Sequence, residues 1–354
     1  MPAPERPPPA PPSQRLPSGR RLLALGAAVA AGLVVLYLAL PSVAGLDATW
    51  RRVREGDPAW LAAAALLEAC SFAGYIWLFR TVCARPDSRI GWRASYQISM
   101  AGVVATRLLA SGGAGGIALT AWALSRSGMS GRATATRTAA QLVLLYAVFM
   151  GALVVFGLGL RLGVLPGPAP FALTVVPAVF AAACIVATLV IASLTDHVDR
   201  GLRRLYARPG RGARLVARLA TLPATVAWGV REALDLIRAG RPGVLGAVAW
   251  WAFDIATLWA CFHAFGEPPP TACLVVAYLV GALANVLPLP GGVGGVEGGM
   301  IGALIAFGVP GGLAIVAVLA YRAFAFWLPM LPGAIAYVQL LRTVRGWRTA
   351  GATA

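Results

Sequence analysis

The stretch Ala284–Gly299 runs A-N-V-L-P-L-P-G-G-V-G-G-V-E-G-G, with two prolines, an asparagine, a glutamate and six glycines set between apolar runs. Proline lacks the backbone donor a helix needs, and glycine has the lowest helix propensity after it, so this composition breaks a helix. At membrane depth such a break is tolerated only where the freed backbone is buried in protein or lines a cavity. The stretch therefore predicts an interrupted membrane segment.

The design occurs twice. Gly112-Gly113-Ala114-Gly115-Gly116-Ile117 aligns with Gly291-Gly292-Val293-Gly294-Gly295-Val296 at an offset of 179 residues, close to half of the 354-residue chain. After a one-residue adjustment, Ser127-Gly128-Met129 falls against Phe307-Gly308-Val309. An internal duplication follows. Paired Gly/Pro-interrupted apolar segments in the two halves of a membrane protein are the best sequence pointer to a transporter's substrate site.

Composition sets the class. Apolar residues make up 59% of the chain, charged residues only 12%, and the mean hydropathy is +0.75, which marks an all-α polytopic membrane protein. Every basic residue is arginine, a coding bias more than a chemical requirement. The net charge of +17 lies mainly between apolar spans, so anionic lipid head groups are the expected contact and nucleic acid is not. Five cysteines (70, 83, 184, 261, 273) show no C-x-x-C spacing, and the two histidines, His197 and His263, stand far apart. No disulfide framework, metal site, cofactor or histidine-based catalytic set is expected.

Taken in order, residues 1–20 form a Pro/Arg-rich tail expected to be disordered and cytoplasmic. The first membrane half, 21–193, holds spans at Leu22–Leu40, Ala59–Phe79, Thr138–Leu160 and Pro170–Ser193, with a glycine break at 107–118. An Arg-rich connector, 194–242, is expected inside, and its segment Leu215–Ile237 is amphipathic enough to lie on the membrane surface. The second half, 243–342, holds spans at Val244–Phe265 and Leu313–Leu341 around the break at 285–299, and 343–354 is a cytoplasmic tail. The arrangement amounts to about six full spans plus two re-entrant hairpins, or about eight spans if the hairpins are counted as crossings. Arginine placement puts both termini inside and makes the hairpins enter from opposite faces, an inverted repeat.

Candidate site residues cluster on the breaks. A helix restarting at Gly292 or Gly113 would aim N–H groups and its positive dipole end at an anionic ligand, which makes Gly291, Gly292, Gly294, Gly295, Gly112 and Gly113 candidate contacts. The competing reading is packing, since Gly291, Gly295 and Gly299, and Gly294, Gly298 and Gly302, recur every four residues. Glu297 and Arg322 form either an ion pair stapling the hairpin or a head-group or proton site. Glu68 and Asp254, read as occupying equivalent positions in mid-span of the helix preceding each hairpin, are candidates for ion coupling, as is Glu297. Arg107 is a candidate for the substrate, and Asn285 for capping the broken backbone or touching substrate.

With Tyr321-Arg322 placed 25 residues after Glu297 and L-P-M-L-P-G at 328–333, the run N-V-L-P-L-P-G-G-V-G-G-V-E resembles the lysylphosphatidylglycerol synthase transmembrane family, also called flippase-like. The resemblance covers roughly residues 20–342 and implies an inner-membrane protein of a bacterium or archaeon that translocates lipid. Two departures stand out. The first motif has Ala110-Ser111, Ala118 and Gln141 where the family carries proline, glutamate and a further charge. The bifunctional members also carry a soluble aminoacyl-transferase domain, for which this chain leaves no room, so lysyl transfer is not expected. The expected function is a flippase for an anionic phospholipid or polyprenyl-linked precursor. The alternatives are an intramembrane lipid-modifying enzyme and a non-transporting membrane partner of a separate glycosyltransferase or synthase.

Overall fold

The computed structural model describes residues 56–84, 89–108, 114–193, 211–286 and 292–350. All regular structure among them is helical: α1 (Pro58–Cys83), α2 (Trp92–Leu108), α3 (Ala114–Arg126), α4 (Gly131–Arg161), α5 (Phe171–Ser193), α6 (Arg211–Arg238), α7 (Gly246–Phe265), α8 (Thr271–Leu283), α9 (Gly295–Ala306), α10 (Gly311–Arg322) and α11 (Met330–Ala350). A 3-10 turn, Pro242–Leu245, leads into α7, another at Ala284–Val286 ends α8, and a π turn, Ala323–Trp327, joins α10 to α11. Among the described residues, five stretches are long and apolar enough to cross a membrane: Pro58–Cys83, Gly131–Arg161, Phe171–Ser193, Pro242–Phe265 and Gly311–Trp347. The span expected at Leu22–Leu40 lies outside the described residues. The chain is an all-α polytopic membrane protein.

Local chemistry sets the helix starts. Asp57 accepts from the N–H of Ala59 at 2.8 Å and Pro58 occupies the first turn of α1, a position where the missing donor does no harm. Ser130 caps α4 through the N–H of Ala133 at 3.3 Å. That cap starts α4 seven residues before the apolar run at Thr138, which hydrophobicity alone does not reveal.

The two halves meet through α1 and α7, which lie antiparallel. Asp57 N–H donates to Ala264 O at 2.9 Å near one end, and Ser71 Oγ donates to Trp250 O at 2.8 Å in the middle. Close approach is secured by glycine: a Cβ on Gly74 would stand 2.8 Å from that of Ala249, and one on Gly246 would stand 2.9 Å from Leu78 N. Ser71 and Trp250 are themselves 179 residues apart, so repeat-equivalent positions face each other across this crossing. Equivalent helices running in opposite directions are what an inverted repeat requires.

Each half then adds a short hairpin, α2 with α3 and α8 with α9. The helices of the second hairpin, 13 and 12 residues long, reach about 18–20 Å at 1.5 Å per residue, against a hydrocarbon core of about 30 Å. The hairpins close in matching ways. A Cβ on Gly281 would fall 2.7 Å from Met300 N and one on Gly299 would fall 3.0 Å from Gly281 Cα. In the first hairpin a Cβ on Gly116 would fall 2.6 Å from Gly102 O, and one on Gly102 would fall 3.3 Å from Thr120 Oγ1. Gly102 and Gly281, and Thr120 and Gly299, stand at the same 179-residue offset. Packing crosses between the halves as well, since α2 lies along α11 and α8 along α4.

Three expectations shift in detail. The second helix restarts at Gly295, three residues after Gly292, because Gly292 (φ 67°) and Gly294 (φ 83°) occupy left-handed conformations that do not continue a helix. In the first motif Gly115 and Gly116 are already helical, so the break ends before 118. Within the segment Leu215–Ile237, Ala224, Ala227, Val230 and Ala233 are buried where α6 packs on α4 and α5, so this part of the helix faces protein.

Candidate functional site

The polar residues of the membrane segments converge between the α1–α7 crossing and the two hairpins. Glu297 sits in the first turn of α9, where one carboxylate oxygen, Oε2, accepts from Gly294 N–H at 2.8 Å. Its other oxygen, Oε1, accepts from Arg322 Nε at 2.7 Å, and the two side chains are buried. Glu297 thus closes the N-terminus of α9 and ties it to the end of α10. One of the N–H groups that the glycine break was expected to offer a ligand is already held by Glu297.

Arg322 opens onto the π turn, and Arg107, at the end of α2, reaches the same turn from the first hairpin. Arg107 Nη2 donates to Ala325 O at 2.5 Å and Nη1 to Phe326 O at 2.8 Å. The sequence explains the vacancy that Arg107 fills. The helical donor for Ala325 O would be the N–H of residue 329, which is a proline and has none. Both guanidiniums stack on one ring: Arg322 lies 4.6 Å and Arg107 5.1 Å from the centroid of Phe326, within cation–π range. π turns are frequent at functional positions in helices, and here one collects a cation from each half of the chain.

Glu68 on α1 and Asp254 on α7 come within hydrogen-bonding reach of each other and beside Arg107. Glu68 is 3% exposed and Asp254 7%. Tyr278 Oη donates to Asp254 Oδ2 at 2.5 Å, and Tyr321 packs edge-on against Tyr278 with its hydroxyl in reach of Asp254. Asp254 Oδ1 and Glu68 Oε2 have no hydrogen-bond partner among the described residues. The two acids are not register equivalents: the 179-residue offset carries Glu68 to Ala247 and Asp254 to Tyr75. They meet because the helices cross antiparallel.

Of the residues singled out from sequence, Glu68, Arg107, Asp254, Glu297 and Arg322 are thus assembled into one junction. Asn285 is exposed at the mouth of the break, and a Cβ on Gly292 would meet its Oδ1 at 2.5 Å. Gly294 faces open space, and Gly295 begins α9. Gly112, Gly113 and Gly291 lie outside the described residues. Of the glycine stripes, Gly299 packs on α8, whereas Gly298 and Gly302 face open space. The first half has no counterpart of the Glu297 carboxylate, since Ala118 stands at the equivalent position.

Tyr278, Tyr321 and Phe326 escaped assignment from sequence. A signal for Tyr278 exists: a tyrosine among Val, Ala and Leu at the middle of a buried helix needs a partner for its hydroxyl. His263, by contrast, lies apart from this junction, stacked 4.5 Å from Trp60 and edge-on to Trp259 at 4.2 Å.

A bundle of antiparallel repeat helices flanked by two short hairpins, with ionisable residues buried at their junction, defines a polytopic membrane protein with an internal repeat. The chain belongs to the lysylphosphatidylglycerol synthase transmembrane family: the family model described as lysylphosphatidylglycerol synthase TM region matches residues 23–333. Two alignments to proteins described as "UPF0104 membrane protein" from Methanothermobacter thermautotrophicus (strain Delta H) show 34% identity over 97 residues and 36% over 86. They cover 27% and 24% of this chain, and only 28% and 26% of those relatives' own lengths.

Proposed function

We propose that this chain is a lipid flippase, moving an anionic phospholipid or polyprenyl-linked precursor across the inner membrane. The observation that carries this reading is the junction itself. Two arginines and three carboxyls, contributed by both repeats and both hairpins, meet among apolar helices, Arg107 half-buried and the other four buried, where an ionisable group is costly and a functional candidate by default. Membership of a family named for a phospholipid synthase supports lipid as the substrate class. The polar head group passes between the hairpins, drawn by the cationic side of the π turn and the mouth at Asn285, Gly292 and Gly294, while the acyl chains stay in the bilayer. Both termini lie on the cytoplasmic side, and the protein carries out no chemistry on the lipid.

The test is translocation in proteoliposomes with head-group-labelled anionic and zwitterionic lipids, comparing wild type with Arg107→Gln and Arg322→Ala, each shown to be folded by its elution and melting profiles. Wild type moves the anionic lipid faster than protein-free vesicles do, and both variants lose that advantage. Absence of translocation of any anionic lipid by well-folded wild type overturns the proposal.

A further inference from the structure

The carboxyls of the junction divide into two kinds. Glu297 has both oxygens engaged, one by Gly294 N–H and one by Arg322, so it is a structural staple with no oxygen held in reserve. Glu68 and Asp254 differ. Each is more than nine-tenths buried, and each keeps one oxygen, Oε2 and Oδ1, without a partner. An unpaired carboxylate oxygen in a low-dielectric interior is costly, and two such groups in mutual reach repel each other if both are charged.

A single proton resolves both problems. Placed on one carboxyl, it turns two unpaired acceptors into a donor and an acceptor. The charges of the junction then balance, with Arg107 and Arg322 opposed by Glu297 and by the one charge left on the pair. A metal ion fits less well, since hard cations take about six or more oxygen ligands and this pair leaves two free. The remaining groups leave the proton to the pair. On α7, Thr257 stands in reach of Glu68 but gives its hydroxyl proton to Phe253 O at 2.9 Å, and Cys261 lies nearby. From α8 Tyr278 donates to Asp254 Oδ2, and from α10 come Tyr321 and Arg322. Arg107, from α2, is the cation beside the pair.

We propose that Glu68 and Asp254 together hold one exchangeable proton, and that this proton is the coupling ion of the transport cycle. The second half of the statement rests on the flippase reading; the first does not. The pair lies at the crossing of the two repeat-equivalent helices, on which α2 of the first hairpin and α8 of the second both pack, so a rearrangement that opens either face changes its surroundings. Only an O–H bond forms or breaks: the proton comes from water on one face and leaves to water on the other.

Infrared spectroscopy of the purified protein in lipid nanodiscs reads the first half without any lipid movement. The expected result is a protonated-carboxyl C=O stretch that shifts in D2O in wild type and disappears in Glu68→Gln and in Asp254→Asn. A wild-type spectrum without that band overturns the proton site, and this reading needs no variant to fold. For the second half, an imposed pH gradient across wild-type proteoliposomes shifts the steady-state lipid distribution by up to about tenfold per pH unit if one proton moves per lipid. Glu68→Gln loses this response. A band present with transport indifferent to the gradient overturns the coupling role alone, and a band present with no lipid movement overturns the flippase reading while leaving the proton site standing.

Discussion

Removing the Glu297 carboxylate tests the idea that the second hairpin is stapled by a buried ion pair. Glu297 and Arg322 are 8% and 7% exposed, so Glu297→Ala takes the carboxylate partner away from a buried guanidinium, a change that costs about 3–5 kcal/mol. It also removes the cap on Gly294 N–H, worth about 1 kcal/mol. Arg322→Met strands the carboxylate in turn, again at about 3–5 kcal/mol, though the cap survives. In the double variant no buried charge is left alone, and methionine fills much of the arginine's volume. Its destabilisation should fall short of the sum of the single variants by about 2–3 kcal/mol. Reversible unfolding in mixed micelles, followed by circular dichroism for all four proteins, measures that coupling. Single-variant losses that simply add in the double variant would refute the staple.

Neighbouring glycines on α9 should behave in opposite ways. Gly299→Ala pushes α9 off Gly281 and lowers the melting temperature, whereas Gly298→Ala meets open space and raises helix stability by about 0.5–1 kcal/mol. Arg107→Lys keeps the charge but not the two-pronged donation to Ala325 O and Phe326 O; hydrogen exchange should rise in the π turn and the first turn of α11, and unchanged protection would refute the clamp. Cys83, Cys261 and Cys273 are buried, so they should resist a small maleimide in intact membranes and react only after unfolding, as mass spectrometry would read.

Much of the architecture was legible in the chain because membrane insertion is governed by terms that sum locally. Hydropathy marked the spans of α1, α5 and α7 closely, since a helix leaving lipid for water must change composition there. The glycine repeat at 112–116 and 291–295 announced the duplication, and arginine placement announced that its copies are inverted. Errors arose where a boundary rests on one hydrogen bond, as at Ser130, or on a backbone conformation, as at Gly292 and Gly294, because neither alters the hydropathy of its neighbourhood.

The junction divides along the same line. Sequence alone marked Glu68, Arg107, Asp254, Glu297 and Arg322, because an ionisable group inside an apolar run is conspicuous wherever it points. Only the tertiary structure decided who meets whom. The antiparallel crossing brings Glu68 to Asp254 across a register that would have paired neither, and Pro329, by withholding one N–H from Ala325 O, makes room for an arginine from the other half of the chain. The physical reason is range: burial and helix propensity act within a span, whereas the partner of a buried charge is chosen by helices that meet after the chain has folded back on itself.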